Sequence, residues 1–94
     1  MANYLARVEL HSATYEDYET LHEVMRKRGF SRTIVANDGN KYQLPTGTYV
    51  VEKTTASLEQ AYSAAQAAVT ETGKSSWIIV VDWTVARFSL QQVN

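Results

Sequence analysis

The stretch from Thr14 to Arg32, TYEDYETLHEVMRKRGFSR, constrains the fold more than any other, because it specifies a helix at both ends. Thr14 with Asp17 three residues on is an N-cap with an acidic N3 partner. Glu16, Asp17 and Glu19 place negative charge at the positive end of the helix dipole. Arg26, Lys27 and Arg28 fill the last turn, and Gly29 follows where a left-handed backbone is most often needed. The pattern predicts a helix over roughly 15–28. Its Tyr15, Tyr18, Leu21, Val24 and Met25 recur at three and four, so they form one apolar face that must pack on a sheet.

The flanking segments supply that sheet. Tyr4, Ala6, Val8 and Leu10 alternate with Leu5, Arg7, Glu9 and His11, the period of a strand with one apolar face. After the helix, Phe30 to Ala36 is rich in aromatic and β-branched residues, and Asn37-Asp38-Gly39-Asn40 is a hairpin turn leading into an antiparallel third strand. Pro45 cannot donate to a ladder, so a bulge or bend is expected at Leu44-Pro45-Thr46-Gly47 before Thr48 to Lys53 resumes. Ser57 and Gln60 form a capping box for a second helix over 58–72, ended by Gly73, with Leu58, Ala61, Tyr62, Ala65, Ala68 and Val69 as its apolar stripe. Ser76 to Trp83 is a continuous apolar run that suits a strand buried on both faces. Val85 to Leu90 adds a short fifth strand or extends the fourth.

The order β-α-β-β-α-β with right-handed crossovers predicts a ferredoxin-like α+β sandwich, one domain over 1–94. Its antiparallel four-stranded sheet has the first and third strands central and both helices on one face. The open face carries Leu5, Arg7, Glu9 and His11 with Trp77, Ile79, Val81 and Trp83, or with the alternate residues of that last strand. Such a face rarely stays in water, so a homodimer or the C-terminal tail is expected to cover it.

Composition excludes several function classes. With 45% hydrophobic residues and no cysteine, the chain builds a core without disulfides and has neither cysteine-ligated zinc nor thiol catalysis. No signal peptide or membrane-spanning run is seen, so the chain reads as cytoplasmic with no membrane partner. A net charge of −1 gives no global attraction to nucleic acid, and no DNA partner is expected. Four of the nine basic residues nevertheless fall between Arg26 and Arg32. Helix-end stabilisation accounts for part of that patch.

Glu19, His22 and Arg26 share one edge of the first helix by i,i+3 and i,i+4 spacing. A histidine can move protons near neutral pH, an arginine can stabilise a phosphorane, and a carboxylate can orient the imidazole. The trio is thus a minimal catalytic set for metal-independent RNA cleavage, with Arg28, Arg32 and Lys41 as candidate phosphate contacts; an ordinary surface trio is the plain alternative. His11 at a strand end reads as a backbone partner. No ligand spacing supports a metal or any other cofactor. Asp82, inside an apolar strand, calls for solvent or for a partner such as Arg7 or Arg87, of which a structural pair across the sheet is preferred. The six tyrosines lack the paired aromatic pattern of an RNA-recognition motif.

From YLARVELH through YEDYETLHEVMRKRGFSRTI to DGNKYQLPTGTYVV, the chain resembles the GhoS family, the endoribonuclease antitoxins of type V toxin–antitoxin systems and related bacterial and prophage proteins. The likeness lies in element order, in the Gly29-Phe30-Ser31 junction after the first helix and in Gln43-Leu44 after the hairpin. It implies a ferredoxin-like protein that cleaves messenger RNA without a metal, with single-stranded RNA as partner. An arginine implicated in the family's first helix falls at His22 here, and Arg26 lies one turn away. A non-catalytic, homodimeric protein-interaction module is the alternative from a different class.

Overall fold

The computed structural model describes residues 1–93. Its elements are β1 (Ala2–Leu10), α1 (Tyr15–Lys27), β2 (Thr33–Val35), β3 (Lys41–Gln43), β4 (Thr48–Thr54), α2 (Leu58–Thr72), β5 (Ser76–Asp82) and β6 (Gln92–Val93). This is a mixed α+β fold in a β-α-β-β-α-β arrangement consistent with a ferredoxin-like topology.

Both helices start as their sequences dictate. Asp17 N donates to Thr14 Oγ1 and Thr14 N to Asp17 Oδ2, while Gln60 N donates to Ser57 Oγ and Ser57 N to Gln60 Oε1. Each reciprocal pair satisfies two backbone donors left over at a helix start. At the other end of α1, Gly29 takes φ +91° and Phe30 N donates back to Met25 O. That turn drops the buried Phe30 into the core.

Leu21, Val24 and Met25 of α1 and Ala61, Ala65, Ala68 and Val69 of α2 are buried against Tyr4, Ala6, Val8 and Leu10 of β1 and Tyr49 of β4. Alanines let α2 approach closely. The predicted stripes are wider than the buried ones: Tyr15 is 78% exposed, and Leu58 and Tyr62 sit at the rim of α2.

The sheet departs from the expected four-stranded one. There are two three-stranded antiparallel sheets, ordered β4-β1-β5 and β2-β3-β6, so β1 is central in the first and the expected third strand is divided between the two. Pro45 lacks an N–H and Gly47 takes φ +82°, and a turn in which Thr48 N donates to Pro45 O redirects the chain from β3 into β4. Among the described residues one isolated bridge, Ser31 to Val50, ties the segment leading into β2 to β4. The hairpin β2-β3 therefore peels away and builds a second small core of Ile34, Leu44 and Val50, capped by Leu5, Tyr42, Trp83, Phe88 and Leu90.

Two further expectations change. Residues 84–91 form no strand, and the tail instead adds the two-residue β6 to β3. β5 is not buried on both faces: among the described residues it pairs only with β1, and Trp77, Ile79 and Val81 are 71, 60 and 39% exposed. An edge strand on a sheet with helices on one side has a wet face, whatever its composition. Asp82 is exposed and forms no ion pair among the described residues, which corrects the expected pair with Arg7 or Arg87.

Candidate functional site

The apolar stripe of α1 decides which way His22 points. One turn beyond Tyr18 and adjacent to buried Leu21, it lies on the flank of α1 that meets β4, and its Nδ1 is 2.6 Å from Tyr49 Oη. The two rings are tilted with centroids 5.8 Å apart, and Tyr18 flanks the imidazole at 6.5 Å. Burial and the charge of Arg32 push the His22 pKa below the usual histidine value, opposed by Glu19. Burial also drives the Tyr49 hydroxyl well above the usual tyrosine value. Both groups are therefore neutral near pH 7. With Nδ1 occupied by Tyr49, Nε2 is the ring nitrogen without a partner among the described residues.

An open cleft of about 460 Å³ runs along this edge, lined by Glu19, His22, Glu23, Arg26, Phe30 and Arg32 among others. It gathers all three predicted catalytic residues, but Tyr49 holds the imidazole and Glu23 holds Arg26. Arg26 is held by Glu23 through Nη2–Oε1 at 2.6 Å and Nε–Oε2 at 3.2 Å, a pair that lowers the Glu23 pKa. Glu19 acts on His22 through its charge, and its carboxylate near Tyr15 raises the pKa of that phenol. Both side chains of the Arg26–Glu23 pair are exposed and water screens their attraction, so Arg26 can exchange Glu23 for another anion.

The predicted phosphate contacts are dispersed. Arg32 lines the cleft and has no ion-pair partner among the described residues. Arg28 reaches the other way, to Glu71 of α2 at 3.3 Å. Lys41 stands in β3 between Val35 and Val93, on the peeled-away hairpin. With His22 neutral, Arg26 and Arg32 are balanced by Glu19 and Glu23, so the cleft is formally uncharged.

Tyr49 is the partner of His22 that sequence reasoning missed. It sits in an apolar strand where its type signals only core, and nothing in its spacing points to His22. The larger hollow, about 620 Å³ between the hairpin and the tail, is lined by Tyr42, Trp83 and Phe88 and has Asp38 and Arg87 as its charged residues. Asp38 is spent on the hairpin, accepting from Asn40 N and Tyr42 Oη. His11 donates its backbone N–H to Ser75 O, with Nδ1 3.4 Å from Ser75 Oγ and Nε2 3.6 Å from Glu9. Among the described residues, no three His, Asp or Glu side chains converge as a metal set, and no helix is long and apolar enough to cross a membrane.

No protein-family model matches the chain, and a search of curated proteins gave no significant match.

Proposed function

We propose that the cleft between α1 and the Phe30–Arg32 segment binds single-stranded RNA and cleaves it without a metal, the activity that the GhoS resemblance implies. The observation that supports this most is the His22–Tyr49 hydrogen bond, which fixes a neutral imidazole at a cleft wall that also carries Arg32, without an ion-pair partner among the described residues. In this reading Nδ1–H is donated to Tyr49 Oη, and Nε2 accepts the proton of a ribose 2′-hydroxyl. The freed oxygen attacks the adjacent phosphorus, the bond to the 5′-oxygen breaks as that oxygen takes a proton from water to leave as a 5′-hydroxyl, and a 2′,3′-cyclic phosphate remains; His22 returns its proton to solvent. Arg32, joined by Arg26 when Glu23 releases it, stabilises the extra charge on the phosphorane. Incubation of pure protein with adenine- or uracil-rich RNA in the presence of a chelator tests the proposal. Cleavage abolished in His22→Ala and weakened in Arg32→Ala supports it; no cleavage by the wild type removes it.

A second reading, a non-catalytic homodimeric interaction module, is favoured by a separate observation. Trp77, Ile79 and Val81 lie side by side on the open face of β5. Absence of RNA binding at low salt would leave this reading standing alone.

A further inference from the structure

We propose that β5 pairs antiparallel with β5 of a second copy, joining two three-stranded sheets into one six-stranded sheet. This deepens the interaction-module reading and rests on it, while being independent of what the cleft does.

The argument starts from hydrogen-bond parity. β5 pairs with β1 in unbroken register from Tyr4–Asp82 to Leu10–Ser76, and the ladder is extended by Trp83 N donating to Asn3 O and His11 N donating to Ser75 O. Residues 75 and 83 thus direct their backbone groups at β1, and in an antiparallel ladder so does every second residue between them. The N–H and C=O groups of Ser76, Ile78, Val80 and Asp82 therefore point away from β1, along a free edge. Exposed edges in soluble proteins are normally blunted by lysine, proline, a bulge or a covering segment. The other edge of this sheet has such cover, since Ser31 bridges to Val50 of β4. The run from Trp77 to Val81 contains no charge, no proline and no bulge.

Three features select a second copy as the occupant. An antiparallel edge is self-complementary about a two-fold axis, so one strand meets its own sequence. Centred on Ile79, the pairing places Ile78 opposite Val80 and Ser76 opposite Asp82, in each case joining two residues whose backbone groups face outward. It also sets Ile79 against Ile79 and Trp77 against Val81 on the open face. Apolar surface would be removed on the helix side as well, where Tyr62 and Ile78 border a hollow at the same edge. Finally, charge favours the antiparallel sense. Lys74, which within one chain lies 3.5 Å from Asp17, precedes the strand and Asp82 ends it. Antiparallel pairing brings each Lys74 to the end that holds the other copy's Asp82, whereas parallel pairing would stack Asp82 on Asp82.

The test combines sedimentation with hydrogen exchange of the full chain. Expected are a dimer mass at high concentration and amides of Ile78 and Val80 that exchange at least about tenfold more slowly there than in dilute protein. Val80→Pro removes an outward N–H without touching the β1 ladder and is expected to give a monomer with an unchanged circular dichroism spectrum. Ile79→Lys, at an exposed position, is expected to give the same result if proline perturbs the strand. A wild-type monomer overturns both this inference and the homodimer reading. A dimer in which the Ile78 and Val80 amides exchange freely, or which survives both substitutions, overturns edge pairing while leaving the homodimer reading in place.

Discussion

His22 Nδ1 and Tyr49 Oη are 2.6 Å apart, a polar link between a helix flank and a strand side chain that is itself fully buried in the core. Tyr49 has no exposed surface, and His22, its hydrogen-bond partner, lines the cleft. Each group satisfies a requirement of the other: the phenol needs a partner to be buried, and the imidazole needs one to hold a single tautomer.

Tyr49→Phe should therefore cost about 0.5–1.5 kcal/mol, the range for losing one hydrogen bond whose remaining partner, His22, is reached by water from the cleft. Urea denaturation of the two proteins measures it. In the cleavage assay the same substitution should lower the rate by freeing the ring, with His22→Ala lowering it further, by ~10²-fold or more if the imidazole transfers a proton.

Acid should weaken the fold through His22 in a definite window. Its folded pKa lies below the ordinary value of 6.5, so above pH 6.5 both states are neutral and the contribution is fully present. As pH falls below 6.5, the unfolded chain takes up the proton first, and stability declines until the folded pKa is passed. The difference in urea midpoint between wild type and His22→Gln should shrink from pH 7.5 to pH 5. A difference that grows with acid would mean that folding stabilises the imidazolium. Asp17 acts in a separate range: its folded pKa is depressed below 3.8 by the backbone hydrogen bond from Thr14, and its contribution is lost only as pH falls from that value through the folded pKa.

Gly47 and Gly73 have similar positive φ angles, +82° and +73°, yet substitution should affect them differently. A Cβ on Gly73 meets nothing, so Gly73→Ala carries only the left-handed backbone penalty of about 1–2 kcal/mol. A Cβ on Gly47 would collide with the backbone oxygen of Val8 and the guanidinium of Arg7. Gly47→Ala should cost clearly more, and hydrogen exchange should show the loss concentrated where β1 meets β4. Equal midpoints for the two variants would contradict the close approach.

Local signals carried the elements. Thr14 and Ser57 mark their helices within the sequence, and the Asp38-Gly39 turn names its hairpin, because capping and turn chemistry act over three or four residues. The division into two sheets was not legible. Pro45 and Gly47 announce an irregularity, but how far the chain swings there depends on Ser31 pairing with Val50 across the molecule. The same limit governs the site. Glu19, His22 and Arg26 are neighbours by helical period, whereas Tyr49 reaches His22 only through tertiary packing. Glu23 claims Arg26 from the same surface, a competition that spacing alone leaves undecided. For β5, an apolar run looks identical whether the strand is central or at an edge, and the edge becomes visible only once the strand order is known.

Salt and charge substitutions should sort the basic residues by where their guanidinium and ammonium groups stand. Arg32 and Arg26 line the cleft, Arg28 is drawn to Glu71, and Lys41 is on the hairpin. If RNA lies in the cleft, about two phosphates are neutralised, and the logarithm of the binding constant should fall with log salt at a slope of about −1.4, taking ~0.7 per contact. Arg32→Ala should flatten that slope by about one contact, to roughly −0.7. Lys41→Ala and Arg28→Ala should leave it unchanged, and Arg28→Ala should cost no more than the 0–1 kcal/mol of an exposed pair in stability. Glu23→Gln supplies the opposite sign, because it releases Arg26 into the cleft and should strengthen binding. A steeper slope near −2 that responds to Lys41 would instead place the RNA across the hairpin, outside the cleft and away from His22.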